Sequence, residues 1–132
     1  MALEAAGSCF VCGAANPGGL RLAFEVDRDA RTLRTTCRPP DIYQSWEGII
    51  HGGLVATLLD EAMGKLAQEL GRPALTAALD IRFRRPARVG EAIDVEAAID
   101  TMDRRLITAR AVAYGPGRTV LAEATAKLMP AR

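Results

Sequence analysis

The stretch "GIIHGGLVATLLDEAMGKL" (residues 48–66) holds the chain's one histidine, His51, two adjacent glycines, Gly52 and Gly53, and the adjacent acids Asp60 and Glu61 inside an apolar run. At about 100° per residue, Val55, Leu58, Leu59, Ala62, Met63, Leu66 and Leu70 share one broad arc, the stripe of a helix buried on one side. Gly71 and Pro73 end the pattern, so the spacing predicts a helix over about residues 53–70. Glu61 falls opposite the arc with Lys65 four residues later, a pair worth about 0.2–0.5 kcal/mol that a solvated face explains. Asp60 has no such explanation, because its neighbours three and four residues away are Ala56, Thr57, Met63 and Gly64.

Gly53, Ala56, Asp60, Gly64 and Ala67 form a narrow stripe bordering the apolar arc, and such small residues let a ligand or a second backbone come close. Aspartate is a poor mid-helix residue and Gly64 costs up to ~1 kcal/mol relative to alanine, so two unfavourable choices coincide. Conflicts of this kind mark functional sites, and Asp60 is expected in a cleft. The alternative is an aspartate exposed at the edge or bonded to Thr57. Just before the helix, Gly52 and Gly53 would present unpaired N–H groups to a substrate oxygen with no side chain in the way, the makings of an oxyanion hole. His-Gly-Gly alone reads equally as a turn.

Outward from the helix, "GLRLAFEV" (residues 19–26) alternates Leu20, Leu22, Phe24 and Val26 against Arg21, Ala23 and Glu25, the period of a half-buried strand. The turn "DRDA" leads into "RTLRTTC", so the two segments are predicted to form a hairpin. After the helix, "LTAALDIRF" alternates over Leu75, Ala77, Leu79, Ile81 and Phe83, and "AIDVEAAI" over Ile93, Val95, Ala97 and Ile99. "RLITARAVAY" and "TVLAEATAKL" follow, joined through "GPG" at residues 115–117. Two strands, one helix and four strands suit an α+β arrangement, an antiparallel sheet around a single helix, in one domain over residues 1–132 with 1–18 as a lead-in.

With 49% apolar residues in 132, the chain can build one core, and a formal charge of +1 offers no global field for nucleic acid or anionic lipid. The opening "MALEAAGSCF" lacks a basic leader before an apolar segment and no run is long enough to span a membrane, so a cytoplasmic protein is expected. Three cysteines, an odd number, fit a reducing compartment. No metal site is expected: Cys9, Cys12 and Cys37 would have to join His51 at spacings unlike paired knuckles. "CFVCG" does not sit in a βαβ unit, which makes a structural turn a better reading than a redox motif. No nucleophile elbow surrounds Ser8 or Ser45, and no glycine-rich phosphate loop is present. Carboxylate chemistry on an activated carbonyl remains.

"HGGLVATLLDEAMG", preceded by "YQSWEGII" and followed by "LTAALDIRFRRPARVGE", resembles the hotdog-fold acyl-CoA thioesterases of the phenylacetyl-CoA thioesterase (PaaI) type. The resemblance covers most of the chain and is most specific at His-Gly-Gly with an acid nine residues after the histidine. It implies that the Gly52 N–H polarises the thioester carbonyl, that Asp60 is general base or nucleophile, that His51 places the substrate, and that the Thr76 hydroxyl helps position water. Ser45 stands where some relatives carry an amide. Arg82, Arg84, Arg85 and Arg88 either hold the phosphates of coenzyme A or form a solvated strand edge. The implied substrate is an acyl-CoA, with no cofactor; a non-catalytic acyl-CoA-binding module of the same fold is the alternative, and a dehydratase ranks below both.

On one helix, Gly52 and Asp60 are eight residues and hence ~12 Å apart, too far for an aspartate side chain to serve a carbonyl held at Gly52. A homodimer with antiparallel helices, pairing further into a homotetramer, is therefore expected, each active site shared between two chains.

Overall fold

The computed structural model describes residues 2–131. The helix predicted from the periodicity, α1, runs Gly52–Glu69 and buries Leu54, Val55, Leu58, Leu59, Ala62, Met63, Leu66 and Ala67. Its first turn is capped by His51, whose Nδ1 accepts the Gly53 N–H at 2.8 Å, so that nitrogen is the unprotonated one. A Cβ at Gly53 would lie 2.9 Å from that Nδ1, and glycine is what lets the ring close over the helix end. At the other end Gly71, with φ +83°, donates to Gln68 O and Arg72 donates to Ala67 O, the paired bonds of a Schellman stop.

Around α1 wraps one antiparallel sheet. Its strands are β1 (Glu25–Asp27), β2 (Thr32–Cys37), β3 (Ala74–Phe83), β4 (Ile93–Met102), β5 (Ile107–Tyr114) and β6 (Val120–Pro130), in the spatial order β1-β2-β4-β5-β6-β3. This is the hotdog arrangement that the sequence resemblance implies. The inner face is rich in alanine: Ala97, Ala109, Ala111, Ala113, Ala122, Ala124 and Ala126 are all at most 5% exposed. Such short side chains let the Leu58, Leu59, Met63 and Leu66 side of α1 lie close to the backbone of the central strands, where dispersion contacts are densest. Register shifts between Thr76 and Ala78, Ile99 and Thr101, and Ala113 and Tyr114 bend the strands around the helix.

Three expectations need correction. The strand predicted over residues 19–26 is regular only from Glu25, because Arg21 has φ +53° and Leu20 and Leu22 donate instead to Phe10 O and Val11 O of the lead-in. The apolar face still turns inward, with Leu20, Leu22, Phe24 and Val26 packed against the core. Glu61 does not pair with Lys65, which lies 3.6 Å from Glu69. The alternation in β3 does not mark a covered face: β3 is an edge strand with Leu75, Leu79 and Phe83 exposed by 51%, 38% and 56%, and Ile81 alone of the five alternating residues packs on the core.

Two substitutions probe this framework. Leu58→Ala, in the fully buried centre of α1, is expected to cost about 2–5 kcal/mol in urea unfolding at fixed protein concentration. His51→Ala is expected to cost about 1 kcal/mol through the lost cap, with His51→Asn retaining most of it. Equal stability of the alanine and wild-type proteins would show that the imidazole does not cap.

Candidate active site

Asp60 is half-buried on α1 and accepts the Thr76 hydroxyl on Oδ1 at 2.6 Å, across from the start of β3. The alternative partner, Thr57, is occupied with its own backbone, donating to Gly53 O at 2.9 Å. Among the described residues Asp60 makes no ion pair, and its Oδ2 accepts no protein hydrogen bond. Both residues line a cavity of about 420 Å³ together with Gly64, Lys65 and residues Leu3, Glu4 and Ala5 of the lead-in. Nothing lies within 4 Å of where a Gly64 Cβ would stand, so the small-residue stripe opens at Gly64 beside Asp60, whereas Ala67, which the stripe also includes, is fully buried in the core. One carboxylate oxygen is thus held by a hydroxyl while the other accepts no hydrogen bond from the described residues.

The N-terminus of α1 belongs to a second cavity, of about 330 Å³, lined by Ser45, Ile49, Gly52, Phe83, Arg84 and Arg85 among others. The loop before the helix is pinned by Ile50 N–H to Ala87 O and His51 N–H to Tyr43 O, both 2.8 Å. With Gly53 N–H spent on His51, the Gly52 N–H is the donor left at the helix end, in the positive field of the helix dipole. The Phe83 ring lies over it, 3.5 Å from the position a Gly52 Cβ would take. Arg84 is held by Glu123 at 2.9 Å, and Arg82 lies 3.8 Å from Asp80. Arg85 and Arg88 form no ion pair among the described residues.

The candidate residues therefore fall into two groups. Asp60 and Thr76 meet in one cavity; Ser45, Gly52, Arg84 and Arg85 meet in the other; His51 and Gly53 are bonded to each other at the junction of loop and helix. Within one chain the two groups lie in separate cavities along the same helix. Glu61 has a surrounding that the helix pattern did not signal: it lies against Cys9 and Cys12. Burial, and then the hydrogen bond to the Glu61 carboxylate, push the Cys12 thiol up to about 12. Burial also raises Cys9, but the backbone N–H groups of Cys12 and Val11 outweigh it and hold Cys9 below its ordinary value. Cys37 is buried apart, in the core.

Among the described residues, no helix is long and apolar enough to cross a membrane. Residues 47–122 match the thioesterase superfamily. Over 110 residues the chain is 28% identical to acyl-coenzyme A thioesterase THEM4 of Bos taurus, an alignment covering 81% of this chain and 45% of that protein. It thus spans less than half the length of that curated relative. Among solved structures it resembles the E. coli PaaI protein from the phenylacetic acid degradation operon, with a TM-score of 0.79 and 18% identity over 86% of this chain and 81% of that one. A hypothetical thioesterase protein of Streptococcus pneumoniae solved with coenzyme A gives a TM-score of 0.78 and 17% identity, over 83% of this chain and 85% of that one. At these identities the two structures speak for the fold, a helix wrapped by an antiparallel sheet. The superfamily match takes in the loop before α1, the helix and most of the sheet, and this chain belongs to the thioesterase superfamily.

Proposed function

We propose that the chain hydrolyses the thioester of an acyl- or aryl-coenzyme A to the free acid and coenzyme A, with Asp60 as the base. The observation that carries this reading is the Asp60 carboxylate, without a cationic partner, held on one oxygen by Thr76 in an open cleft. Thr76 takes Oδ1 and orients the carboxylate, so Oδ2 is left to accept a proton from water or to attack. In the thioesterase of S. pneumoniae an aspartate and a threonine sixteen residues apart have each been replaced by alanine in solved structures. Asp60 and Thr76 have the same separation.

In the general-base form, water attacks the thioester carbon as its proton passes to Asp60, and the tetrahedral oxyanion is held by the Gly52 N–H. Collapse expels the thiolate of coenzyme A, which takes the proton back from Asp60. His51, by fixing the first turn of α1, sets the direction of the Gly52 N–H, while Ser45 and Gly53 leave the approach open on that side. Arg85, with Arg84 beside it, offers guanidinium groups to the phosphates of coenzyme A at the rim of the Gly52 cavity.

The two half-sites join only between chains. Gly52 and Asp60 are ~12 Å apart along α1, whereas base and oxyanion donor must both lie within about 3 Å of the reacting centre. An antiparallel pair of α1 helices about a two-fold axis would bring Asp60 of one protomer beside Gly52 of its partner. The open edge of β3, with Leu75, Leu79 and Phe83 exposed, is the surface on which a second copy would extend the sheet.

Asp60→Asn is expected to lower kcat for acyl-CoA hydrolysis by about 10²-fold or more, with Asp29→Asn in the β1–β2 turn as an unaffected control. Retained acyl-CoA binding in a wild-type protein that shows no turnover across a panel of aliphatic and aromatic acyl-CoAs would favour a binding module instead. Gly52→Pro removes the N–H and sets ring carbons in its place, beside the Phe83 ring 3.5 Å from the Cβ position; the first helical position accepts proline, and His51 before it already has ψ 133°. It is expected to cost about 10²–10³-fold in kcat with α1 intact by circular dichroism.

Mixing Asp60→Ala and Gly52→Pro chains under exchange conditions is expected to restore up to about half the activity in mixed dimers, one complete site in two. Mixed dimers confirmed by mass spectrometry that stay inactive would rule out the shared site.

A further inference from the structure

Cys9, Cys12 and Glu61 lie outside the proposed catalytic groups. The two sulfurs and a Glu61 carboxylate oxygen are all within 4.8 Å of one another, and all three residues are half-buried. The cysteines belong to a tight turn, "CFVCG", in which Gly13 N–H donates to Cys9 O at 2.8 Å. Gly13 is buried, and a Cβ there would stand 2.3 Å from Cys9 N and 2.5 Å from Gly7 O, so no other residue fits the turn. A Cys-x-x-Cys-Gly turn whose two sulfurs lie within 4.8 Å of each other is the half-site from which thiolate metal centres are built.

The third donor comes from the helix. Glu61 is in no ion pair among the described residues, and Lys65 on the next turn is engaged with Glu69. Three candidate metal donors are thus gathered within 4.8 Å of one another, and Glu61 has no ion-pair partner among the described residues. A tetrahedral zinc ion with Zn–S near 2.3 Å and Zn–O near 2.1 Å sets its donors about 3.6–3.8 Å apart, so the cluster need draw in by only about 1 Å. Two thiolates favour zinc over the hard cations, and a single carboxylate is an ordinary third ligand.

We propose that Cys9, Cys12 and Glu61 bind one zinc ion, with water completing the tetrahedron, and that this ion staples the lead-in to α1. Both thiols give up their protons to solvent on binding, and no oxidation is involved. The staple has a structural consequence. Glu61 is the neighbour of Asp60, and Leu3, Glu4 and Ala5 of the lead-in form a wall of the Asp60 cavity. Among the described residues the lead-in is held by the buried side chain of Val11, by the bonds from Leu20 and Leu22 to Phe10 O and Val11 O, and by Gly19 N–H and Arg21 Nε to Asn16 O. A metal across Cys9, Cys12 and Glu61 would fix that wall.

The test reads metal, not activity, and so stands apart from the hydrolysis proposal. Full-length protein purified with reductant and without chelator is expected to carry about one zinc per chain by elemental analysis, or to take up one on titration. X-ray absorption at the zinc edge is expected to show two sulfur and two oxygen neighbours. Glu61→Gln is expected to weaken zinc about tenfold or more against a chromophoric chelator, and Cys12→Ser to weaken it further. Should the variants fail to fold, the absorption spectrum of the wild-type protein decides alone. Reduced protein that takes up no zinc, zinc without sulfur neighbours, or a Cys9–Cys12 disulfide that forms in preference to metal uptake would each overturn the proposal.

Discussion

The burial of one side of α1 against an alanine-lined sheet is the interaction on which the rest of this structure depends. Leu58, Leu59, Ala62, Met63 and Leu66 are fully buried, and the strands that receive them present seven buried alanines beside larger residues such as Ile93, Val95 and Ile107. Short side chains on the sheet let the long ones on the helix come close, and transfer of the leucine and methionine side chains from water drives the closure. Every group of chemical interest is placed by that contact. Because the buried arc faces the sheet, the stripe through Gly53, Ala56, Asp60 and Gly64 must emerge along its border, where β3 can deliver Thr76.

A rigid helix also separates what it positions. Its N-terminus offers the Gly52 N–H and the positive end of the dipole, and its middle offers a carboxylate, but the 1.5 Å rise per residue sets them ~12 Å apart. The structure reflects this in two distinct cavities, one around Gly52 with Arg84 and Arg85 and one around Asp60 with Thr76. The uncovered edge and apolar residues of β3 are the other side of the same economy: a strand whose leucines face outward has not completed its burial within one chain. Both features lead to the shared-site proposal from different directions.

Asp60 and Glu61 illustrate how adjacent residues on a helix enter different environments. About 100° of rotation turns Asp60 toward β3 and Glu61 toward the lead-in. Asp60 meets a hydroxyl, which leaves it a free oxygen; Glu61 meets two thiols, one of which it bonds. The lead-in thus contributes on both sides, walling the Asp60 cavity and supplying sulfur to Glu61.

Much of this was legible in the linear chain because it is periodic or local. The α1 stripe, its Gly71 stop, the turn at Asp27, the four C-terminal strands and the oddity of an aspartate with no helical partner depend only on residues a few positions apart. Those interactions are short-ranged, so spacing encodes them. The family resemblance also singled out Thr76, which the fold places against Asp60. What spacing cannot encode is which distant segment fills a given face. The lead-in captured the amides of Leu20 and Leu22 and shortened β1, and β3 took an edge position that left its alternating leucines bare. Glu61, explained locally by Lys65, was claimed instead by cysteines about fifty residues away in sequence. Those outcomes depend on which segments the sheet order brings together, and sheet order is settled by long-range packing that no window of sequence contains.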